Sequence, residues 1–492
     1  MGEATRLCTR LYEESADALA LYYLGVIAIR VGKFGDAAVL LEEAATRLPE
    51  RADIAYNFGV ALRHTGEIDK AIAQWSRAVD LNPGHEDAWR NLARAYAETN
   101  RLADAERTYR AILTAKPGDV TAAYNLANTL FRFRRWSEAT VLYREALNAN
   151  PNFADARINL VLSLMRTNDV EGAIREGKTA VECAPDSPLA HWNLSHALLM
   201  AGLLQEGFAE FEWRRRLQVP PIKISGQPEW KGFPLRGERV LIYGEQGHGD
   251  VLQFLRFVTA VADAGGCPHV VCHPKLVRVA ERALGVGSAS HFDEETPDFD
   301  FHAPLLSLPC IIGLTSFDAL PAPPYIGSGA ILARPAGRRP RVGIAWRGNP
   351  EHADDIGRSC PPERLVPLLE LDNVEWVNLQ FDGGQEEIAG LRLSNPPQDG
   401  TVGVSDFLDT AKVLEDLDLV ISVDTAVVHL AGAMDIPVWV LLSRASDWRW
   451  LARGAASPWY PSAKLFRQER DDDWTGILDA VRDELIRYCF AT

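Results

Sequence analysis

A regular spacing of 34 residues constrains the first part of this chain more than any other feature. Five prolines keep this interval, and so do five alanines: Pro49, Pro83, Pro117, Pro151 and Pro185, with Ala37, Ala71, Ala105, Ala139 and Ala173. Proline ends a helix because it lacks the amide hydrogen and clashes with the preceding turn, and alanine is small enough for two helices to touch. The spacing therefore predicts a stack of helical hairpins.

These repeats resemble the tetratricopeptide repeat family over about residues 1–217, with repeats starting near 18, 52, 86, 120, 154 and 188. The resemblance implies a solenoid whose concave face, lined by the first helix of every repeat, accepts an extended peptide. One row of amides recurs on that helix and resembles the row in protein O-GlcNAc transferases: Asn57, Asn91, Asn125, Asn159 and Asn193. Because an amide both donates and accepts hydrogen bonds, the row is expected either to hold a peptide backbone or to bond neighbouring backbone within the solenoid.

The last repeat departs from the pattern. Gly207 replaces the alanine, and "GFAEFEWRRRLQ" follows before Pro220 and Pro221. This segment is expected to be a capping helix docked on the next domain. The alternative is a basic patch for an anionic ligand at Arg214 to Arg216.

From about residue 238 the pattern changes to short apolar strands that alternate with helical stretches, which is typical of parallel α/β sheets. One group contains "RVLIYG" and "HVVCH", and a second begins with "VGIAW" and continues through "VEWVNLQ", "LVISVD" and "PVWVLL". Two such groups, joined by "ARPAGRRPR", resemble the GT-B glycosyltransferase architecture. The predicted fold is an α-solenoid followed by an α/β GT-B fold of two Rossmann-like domains. The expected divisions are 1–217 solenoid, 218–237 linker, 238–334 acceptor-side domain, 335–475 donor-binding domain and 476–492 C-terminal helix.

The longest local motif is "VISVDTAVVHLAGAMDIPVWVLL". A strand ends before Asp424, a helix begins near Ala426, and His429 follows one turn later. The N-terminus of such a helix presents free N–H groups and the positive end of the helix dipole, which suits a diphosphate. The segment is similar to the "DTxxxHLAxA" donor-site signature of ADP-heptose:lipopolysaccharide heptosyltransferases and their tetratricopeptide-fused relatives. This resemblance implies a donor site at Asp424, Thr425, Ala426 and His429.

The glycine-rich stretch "GEQGHGDVLQF", residues 244–254, does not have the offsets of a GxGxxG dinucleotide fingerprint. In the heptosyltransferase family a "GD" pair after the first strand of the N-terminal domain supplies the general base, which implies that role for Asp250. Its carboxylate would take the proton of the attacking hydroxyl. The alternative is a helix N-cap, and one residue can serve as both. His248 is expected to orient the acceptor, to act as the base instead, or to be a loop residue only.

Two arginines lie near the start of the second α/β group. Arg347 follows a strand directly, and Arg358 comes eleven residues later. Each is expected either to neutralise the donor phosphates or to form a surface salt bridge. A later segment combines Trp448, Trp450, Trp459 and Tyr460 with Asp447 and Arg449, and its aromatic rings are expected to stack on a base or sugar or to pack the loop onto the sheet.

Composition narrows the partners and the compartment. A net charge of −16 without a long basic run argues against a nucleic-acid partner. Seven scattered cysteines fit the reducing cytoplasm, and neither a signal peptide nor a membrane span is indicated. His269 and His273 lack the further ligands of a metal site, so no metal and no cofactor is expected beyond a nucleotide-sugar substrate.

The expected function is an inverting, metal-independent glycosyltransferase that moves a sugar from a nucleotide sugar to a Ser or Thr hydroxyl of a protein held by the solenoid. Flagellin is an acceptor implied by resemblance, because bacterial flagellin glycosyltransferases include tetratricopeptide-fused forms. The alternatives are an enzyme acting on a glycan or lipid-linked acceptor, and an inactive protein-interaction scaffold. A homo-oligomer formed through the repeat ends is a further possible partnership.

Overall fold

The computed structural model describes residues 2–224, 226–327, 338–348 and 355–491. Its contacts divide the chain into two compact units, residues 1–167 and residues 168–492. The last repeat, which the sequence pattern joins to the other repeats, therefore shares a unit with the α/β sheets.

All the regular secondary structure described in the first unit is α-helical. Its helices within the described residues are α1 (Gly2–Ser15), α2 (Ala18–Arg30), α3 (Phe34–Arg47), α4 (Ala52–His64), α5 (Ile68–Leu81), α6 (Glu86–Glu98), α7 (Leu102–Ala115), α8 (Val120–Arg132), α9 (Trp136–Ala149) and α10 (Ala154–Arg166). The periodic alanines Ala37, Ala71, Ala105 and Ala139 are fully buried. This burial agrees with a small residue being required where the two helices of a hairpin meet.

A left-handed residue ends the first helix of each hairpin. Gly32, Gly66, Asn100 and Arg134, again 34 residues apart, have φ values of 77°, 86°, 59° and 61°. Glycine and asparagine adopt this conformation readily, whereas an arginine there is strained. The tight turn is therefore a property of the repeat geometry, which imposes the same backbone on different side chains.

The second unit begins with α11 (Val170–Cys183), α12 (Pro188–Met200) and α13 (Leu204–Phe211), and a 3-10 helix at Glu212–Arg216 follows. Arg214 in that turn is fully buried. Its guanidinium donates to Glu212 and Glu245 at 2.8 and 2.7 Å and to Ser307 at 2.8 Å. Arg214 thus docks the last repeat on the α/β region, and it is not available to an anionic ligand.

The first sheet is parallel and has the order β3-β2-β1-β4. Its strands are β1 (Arg239–Tyr243), β2 (Cys267–Cys272), β3 (Ser288–His291) and β4 (Phe301–Pro304). The associated helices are short: α14 (His248–Phe254), α15 (Thr259–Asp263), α16 (Val277–Ala280) and α17 (Leu308–Ile311).

The second sheet is also parallel, with the order β10-β9-β8-β5-β6-β7. Its strands are β5 (Arg341–Ala345), β6 (Glu375–Asn378), β7 (Gln398–Asp399), β8 (Leu419–Val423), β9 (Val438–Leu442) and β10 (Ala463–Arg467). Its helices are α18 (Asp355–Arg358), α19 (Val366–Leu369), α20 (Gly384–Gly390), α21 (Phe407–Glu415), α22 (Ala426–Ala433) and α23 (Trp474–Ala491). Helical repeats followed by parallel α/β sheets confirm the predicted fold class. None of the helices within the described ranges has the length and apolarity needed to cross a bilayer.

Candidate functional site

The first turns of α14 and α22 touch. Helix α14 follows β1 of the first sheet, and α22 follows β8 of the second. A Cβ atom at Gly249 would lie 2.7 Å from Cδ2 of His429 and 3.7 Å from the Cα of Ala426. The glycine of the "GD" pair is therefore required by close packing. The carboxyl ends of two parallel strands, where α/β proteins bind ligands, meet at this contact.

Asp250, the third residue of α14, uses both carboxylate oxygens. Oδ2 accepts a hydrogen bond of 2.8 Å from the N–H of Gly247, and Oδ1 pairs with Nη2 of Arg449. Gly247 is the N-cap residue, so the alternative that Asp250 is the N-cap is wrong; as the third residue of the helix, Asp250 instead accepts from the backbone N–H of the N-cap. The second contact joins Asp250, which lies beside the first sheet, to Arg449, which lies beside the second sheet. Each oxygen keeps a lone pair for a further donor.

Arg449 was named from the sequence, but it was not predicted to lie beside Asp250 in the candidate site. It is buried, and its Nε donates to Oε1 of Gln253 at 2.7 Å while Nη1 donates to Oδ1 of Asp447 at 2.8 Å. Its guanidinium lies over the Trp448 ring at 4.3 Å. A signal was present in the sequence, because an acid and a base flank a tryptophan in "DWRW", but nothing there identifies Asp250 as the partner.

His429 is buried and held on two sides. Its Nδ1 lies 2.9 Å from the Tyr460 hydroxyl, and its ring stacks on Trp450 at 5.5 Å. Burial, together with the positive charge of Arg449, lowers the pKa of His429 to about 3. The imidazole is therefore neutral at physiological pH and acts by hydrogen bonding.

Asp424 follows β8 directly, and its Oδ1 is 3.9 Å from Nε2 of His429. Burial, together with the neighbouring carboxylate of Asp447, raises the pKa of Asp424 above its usual range, and the charge of Arg358 opposes that rise. A carboxyl group in this environment is partly protonated closer to neutral pH than an exposed aspartate, so it can donate a hydrogen bond.

The two candidate arginines have different surroundings. Nη2 of Arg347 lies 3.0 Å from the Glu387 carboxylate and donates to the Asp382 carbonyl at 2.7 Å. Arg347, which follows β5, thus forms a salt bridge with Glu387, as the alternative prediction stated. Arg358 is the one whose charge acts on both Asp424 and His429, and its buried Nε has no hydrogen-bond partner within the described ranges.

Helix α22 begins without a side-chain cap in the described structure. Thr425 is at the N-cap position, but its Oγ1 lies 3.1 Å from Oγ of Ser422 rather than on a helix N–H. The N–H of Val428 donates to the Thr425 carbonyl at 3.1 Å, so the first-turn amides that remain available to an acceptor are those of Ala426 and Val427. The predicted residues Asp424, Thr425, Ala426 and His429 are therefore brought together, and Asp250 is beside them.

His248 belongs to a neighbouring cluster. Its ring packs edge-on against His273 at 4.5 Å and tilts against Phe407 at 5.3 Å. Burial, with smaller effects of His273 and Lys275, lowers the pKa of His248 to about 4. The side chain is a neutral ring at the first position of α14, packed between the end of β2 and the start of α21.

The aromatic side chains between residues 445 and 460 pack in the interior of the second unit. Trp448, Trp450, Trp459 and Tyr460 are all buried. Phe208 of α13 meets Trp448 edge-to-face at 6.1 Å, and Trp448 meets Trp459 at 5.7 Å. They fix this segment between the last repeat and the second sheet, as the packing alternative expected.

The asparagine row makes bonds between repeats in the first unit. Nδ2 of Asn57 donates to the Tyr22 hydroxyl at 3.4 Å, and Nδ2 of Asn159 donates to that of Tyr124 at 3.2 Å. Asn91 bonds Tyr56 in the same way. These contacts support the structural alternative for three members of the row.

The other two members differ. In the repeat before Asn125 the tyrosine is replaced by Arg90, whose guanidinium binds Asp119 at 2.8 Å instead. Asn193, in the second unit, is 2% exposed. Asn125, which is half-buried, is therefore the member best placed to bind a peptide.

Comparison with known proteins supports the repeat region directly. The family model for the tetratricopeptide repeat matches residues 22–84, 56–120 and 124–188. The chain thus carries tetratricopeptide repeats followed by an α/β region.

Relatives over longer stretches are distant. Over 360 residues the chain is 28% identical to Protein FlbA of Caulobacter vibrioides, a match that covers 64% of this chain and 59% of FlbA. Among solved structures, YrrB, a tetratricopeptide protein with an unusual peptide-binding site, has 18% identity and a TM-score of 0.35 over 37% of this chain and 95% of its own. The C-terminal part of a tetratricopeptide protein from Cytophaga hutchinsonii has 15% identity and a TM-score of 0.39 over 44% and 90%.

Proposed function

We propose that the chain is a nucleotide-sugar-dependent glycosyltransferase of the GT-B type that modifies a Ser or Thr hydroxyl of a protein. The observation that carries this proposal is the contact between Gly249 of α14 and His429 of α22. It sets one carboxylate, Asp250, beside an uncapped helix N-terminus. An acceptor base on one half and a phosphate site on the other are the two elements that sugar transfer needs.

The donor half would bind the phosphates of the nucleotide. First-turn amides of α22 and the guanidinium of Arg358 supply positive charge, which favours the negative charge of the leaving nucleotide. Neutral His429 adds a hydrogen-bond donor without adding a full charge, and Asp424 adds one in the fraction of molecules in which its carboxyl group is protonated. This combination stabilises a leaving diphosphate or monophosphate.

The acceptor half would supply the base. The hydroxyl oxygen attacks the anomeric carbon as the bond from that carbon to the nucleotide oxygen breaks, and the hydroxyl proton passes to the Asp250 carboxylate. The electron pair of the broken bond leaves with the nucleotide. A single displacement of this kind inverts the anomeric configuration.

Tetratricopeptide repeats favour a protein acceptor, because their extended surfaces accept peptides. Flagellin is the acceptor that the family resemblance suggests. Asn125 is the residue of the row that we assign to this contact, since its counterparts Asn57, Asn91 and Asn159 bond tyrosines of the preceding repeats.

The test incubates the full chain with labelled UDP-, ADP- and CMP-linked sugars and with candidate acceptor proteins, glycans and lipid-linked glycans. Asp250→Asn should lower transfer to protein by roughly 10²- to 10⁴-fold, the usual contribution of a general base. Asp263→Asn, on α15 beside the same sheet, is the matched control and should retain the wild-type rate.

The outcomes separate the alternatives. Label on glycan or lipid but not on protein would favour the glycan-directed enzyme. An absence of turnover with every donor, and an Asp250→Asn variant that keeps its cellular role, would overturn the enzyme proposal in favour of a scaffold.

A further inference from the structure

We propose that Arg449 is a positioning residue that holds the Asp250 carboxylate in one rotamer across the junction of the two halves. This inference rests on the function proposed above. It concerns a residue that does not need to touch the substrate, and it makes the base of one half depend on a side chain of the other.

The geometry fixes the carboxylate from two directions. The Gly247 N–H holds Oδ2 at 2.8 Å, and the Arg449 guanidinium holds Oδ1. Rotation of the side chain about its χ angles would break both bonds. The remaining lone pairs therefore point in set directions, which a base requires if it is to meet a hydroxyl in a productive pose.

Arg449 is itself anchored. Its Nε and Nη1 are bonded to Gln253 and Asp447, so only limited movement of the guanidinium is compatible with these contacts. Beneath it, Trp448 packs against Phe208 and Phe211 of the last repeat at 6.1 and 6.3 Å. The planar fork of arginine suits such a site, because one group reaches several acceptors at once.

Arg449 keeps its charge although it is buried. Burial opposes the charge, but the carboxylates of Asp250, Asp447 and Asp424 outweigh burial and keep the pKa of Arg449 above its usual value. Arg449 therefore remains a charged donor to Asp250.

The neighbouring Gln253 links Arg449 to the same helix as Asp250. Gln253 is fully buried, and its Oε1 accepts the hydrogen bond from Nε of Arg449. It lies three residues after Asp250 on α14, so the two side chains lie near one face of that helix. Arg449 thereby holds two side chains of one helix face at once.

The first experiment compares kcat with the donor KM, measured with whichever of the UDP-, ADP- or CMP-linked sugars the wild-type protein turns over. Arg449→Gln should lower kcat by roughly 10- to 100-fold and change the donor KM by less than about twofold, since proton transfer rather than donor binding is impaired. Arg449→Lys should recover part of kcat, because it keeps the charge but not the fork.

A purely structural role predicts a different result. Arg214→Gln is the matched control, since Arg214 is an equally buried guanidinium with two carboxylate partners. Both variants are first checked for a cooperative melting transition. The control should melt at a lower temperature but keep a kcat close to that of the wild-type protein.

A double-mutant cycle completes the test. In an Asp250→Asn background, Arg449→Gln should lower kcat by less than about threefold, because the group that Arg449 positions is already gone. Additive effects, or a donor KM that rises while kcat is unchanged, would show that Arg449 does not act through Asp250 and would overturn this proposal. If the wild-type protein turns over none of the sugars, the proposed function fails first and this inference fails with it.

Discussion

Replacement of Gly249 by alanine tests the contact on which the candidate site depends. The added Cβ would lie 2.7 Å from Cδ2 of His429, about 1 Å closer than carbon atoms normally approach. The imidazole cannot retreat, because it is bonded to Tyr460 at 2.9 Å and stacked on Trp450. A Cβ at Gly432 would in turn overlap the Tyr460 ring, so that ring has no space behind it.

The strain can be converted into measurable quantities. Overpacking of this kind costs about 1–3 kcal/mol, which in a large domain lowers the melting temperature by roughly 2–8 °C. If α14 and α22 separate by about 1 Å instead, the carboxylate of Asp250 moves relative to the donor site, and transfer should fall by about 100-fold. Thermal melts followed by circular dichroism and the labelled-sugar assay measure the two effects.

Gly390→Ala is the control for this substitution. Gly390 ends α20 in the same unit, and a Cβ there meets nothing within 4 Å. This control should be neutral or more stable by about 0.4–1 kcal/mol, because alanine reduces the freedom of the unfolded chain. If Gly249→Ala melts and turns over like Gly390→Ala, the helices do not meet as described and the reasoning is refuted.

Three further expectations follow from the same contacts. Between about pH 6.5 and pH 4 the unfolded chain binds a proton at His429 that the folded protein excludes. This histidine therefore lowers the free energy of unfolding by about 1.4 kcal/mol for each unit by which the pH falls. His429→Gln should make the melting temperature depend less on pH. Asn159→Ala should cost about 1 kcal/mol in chemical denaturation, since it breaks a bond to the preceding repeat, whereas Asn125→Ala should be nearly neutral there and weaken acceptor binding in calorimetry. Arg214→Gln should destabilise by about 3 kcal/mol in the same denaturation assay because it removes the buried guanidinium that binds Glu245 and Ser307; a cost below 1 kcal/mol would contradict the docking role.

Local patterns in the sequence predicted much of the fold. The 34-residue interval specifies the hairpins, and the apolar runs that form β1, β2, β5, β6, β8 and β9 are visible without any tertiary information. The strands that lack such runs were missed. β3 reads "SASH" and β4 reads "FHAP", and both are strands because β2 and β1 provide pairing partners, not because of their own composition.

The candidate site likewise contains local contacts, which the sequence predicts, and long-range contacts, which it does not. Asp424 and His429 lie on one strand–helix segment, so their proximity is local and a motif can report it. The partnership of Asp250 with Arg449 joins residues 199 positions apart, and no periodicity encodes it. The choice between Arg347 and Arg358 was equally hidden, since both come between β5 and the next long element and only the contact with Glu387 separates them.

The grouping of residues 168–217 with the two sheets bears on how the chain can be dissected. A fragment that starts after the repeat pattern, near residue 217, would lose Phe208 and Phe211, which pack against Trp448. It would also lose Arg214, the partner of Glu245. A fragment that begins before Asn168 keeps these residues, so it is the better starting point for expressing the α/β half alone or for chimaeras that exchange the upstream repeats between related chains.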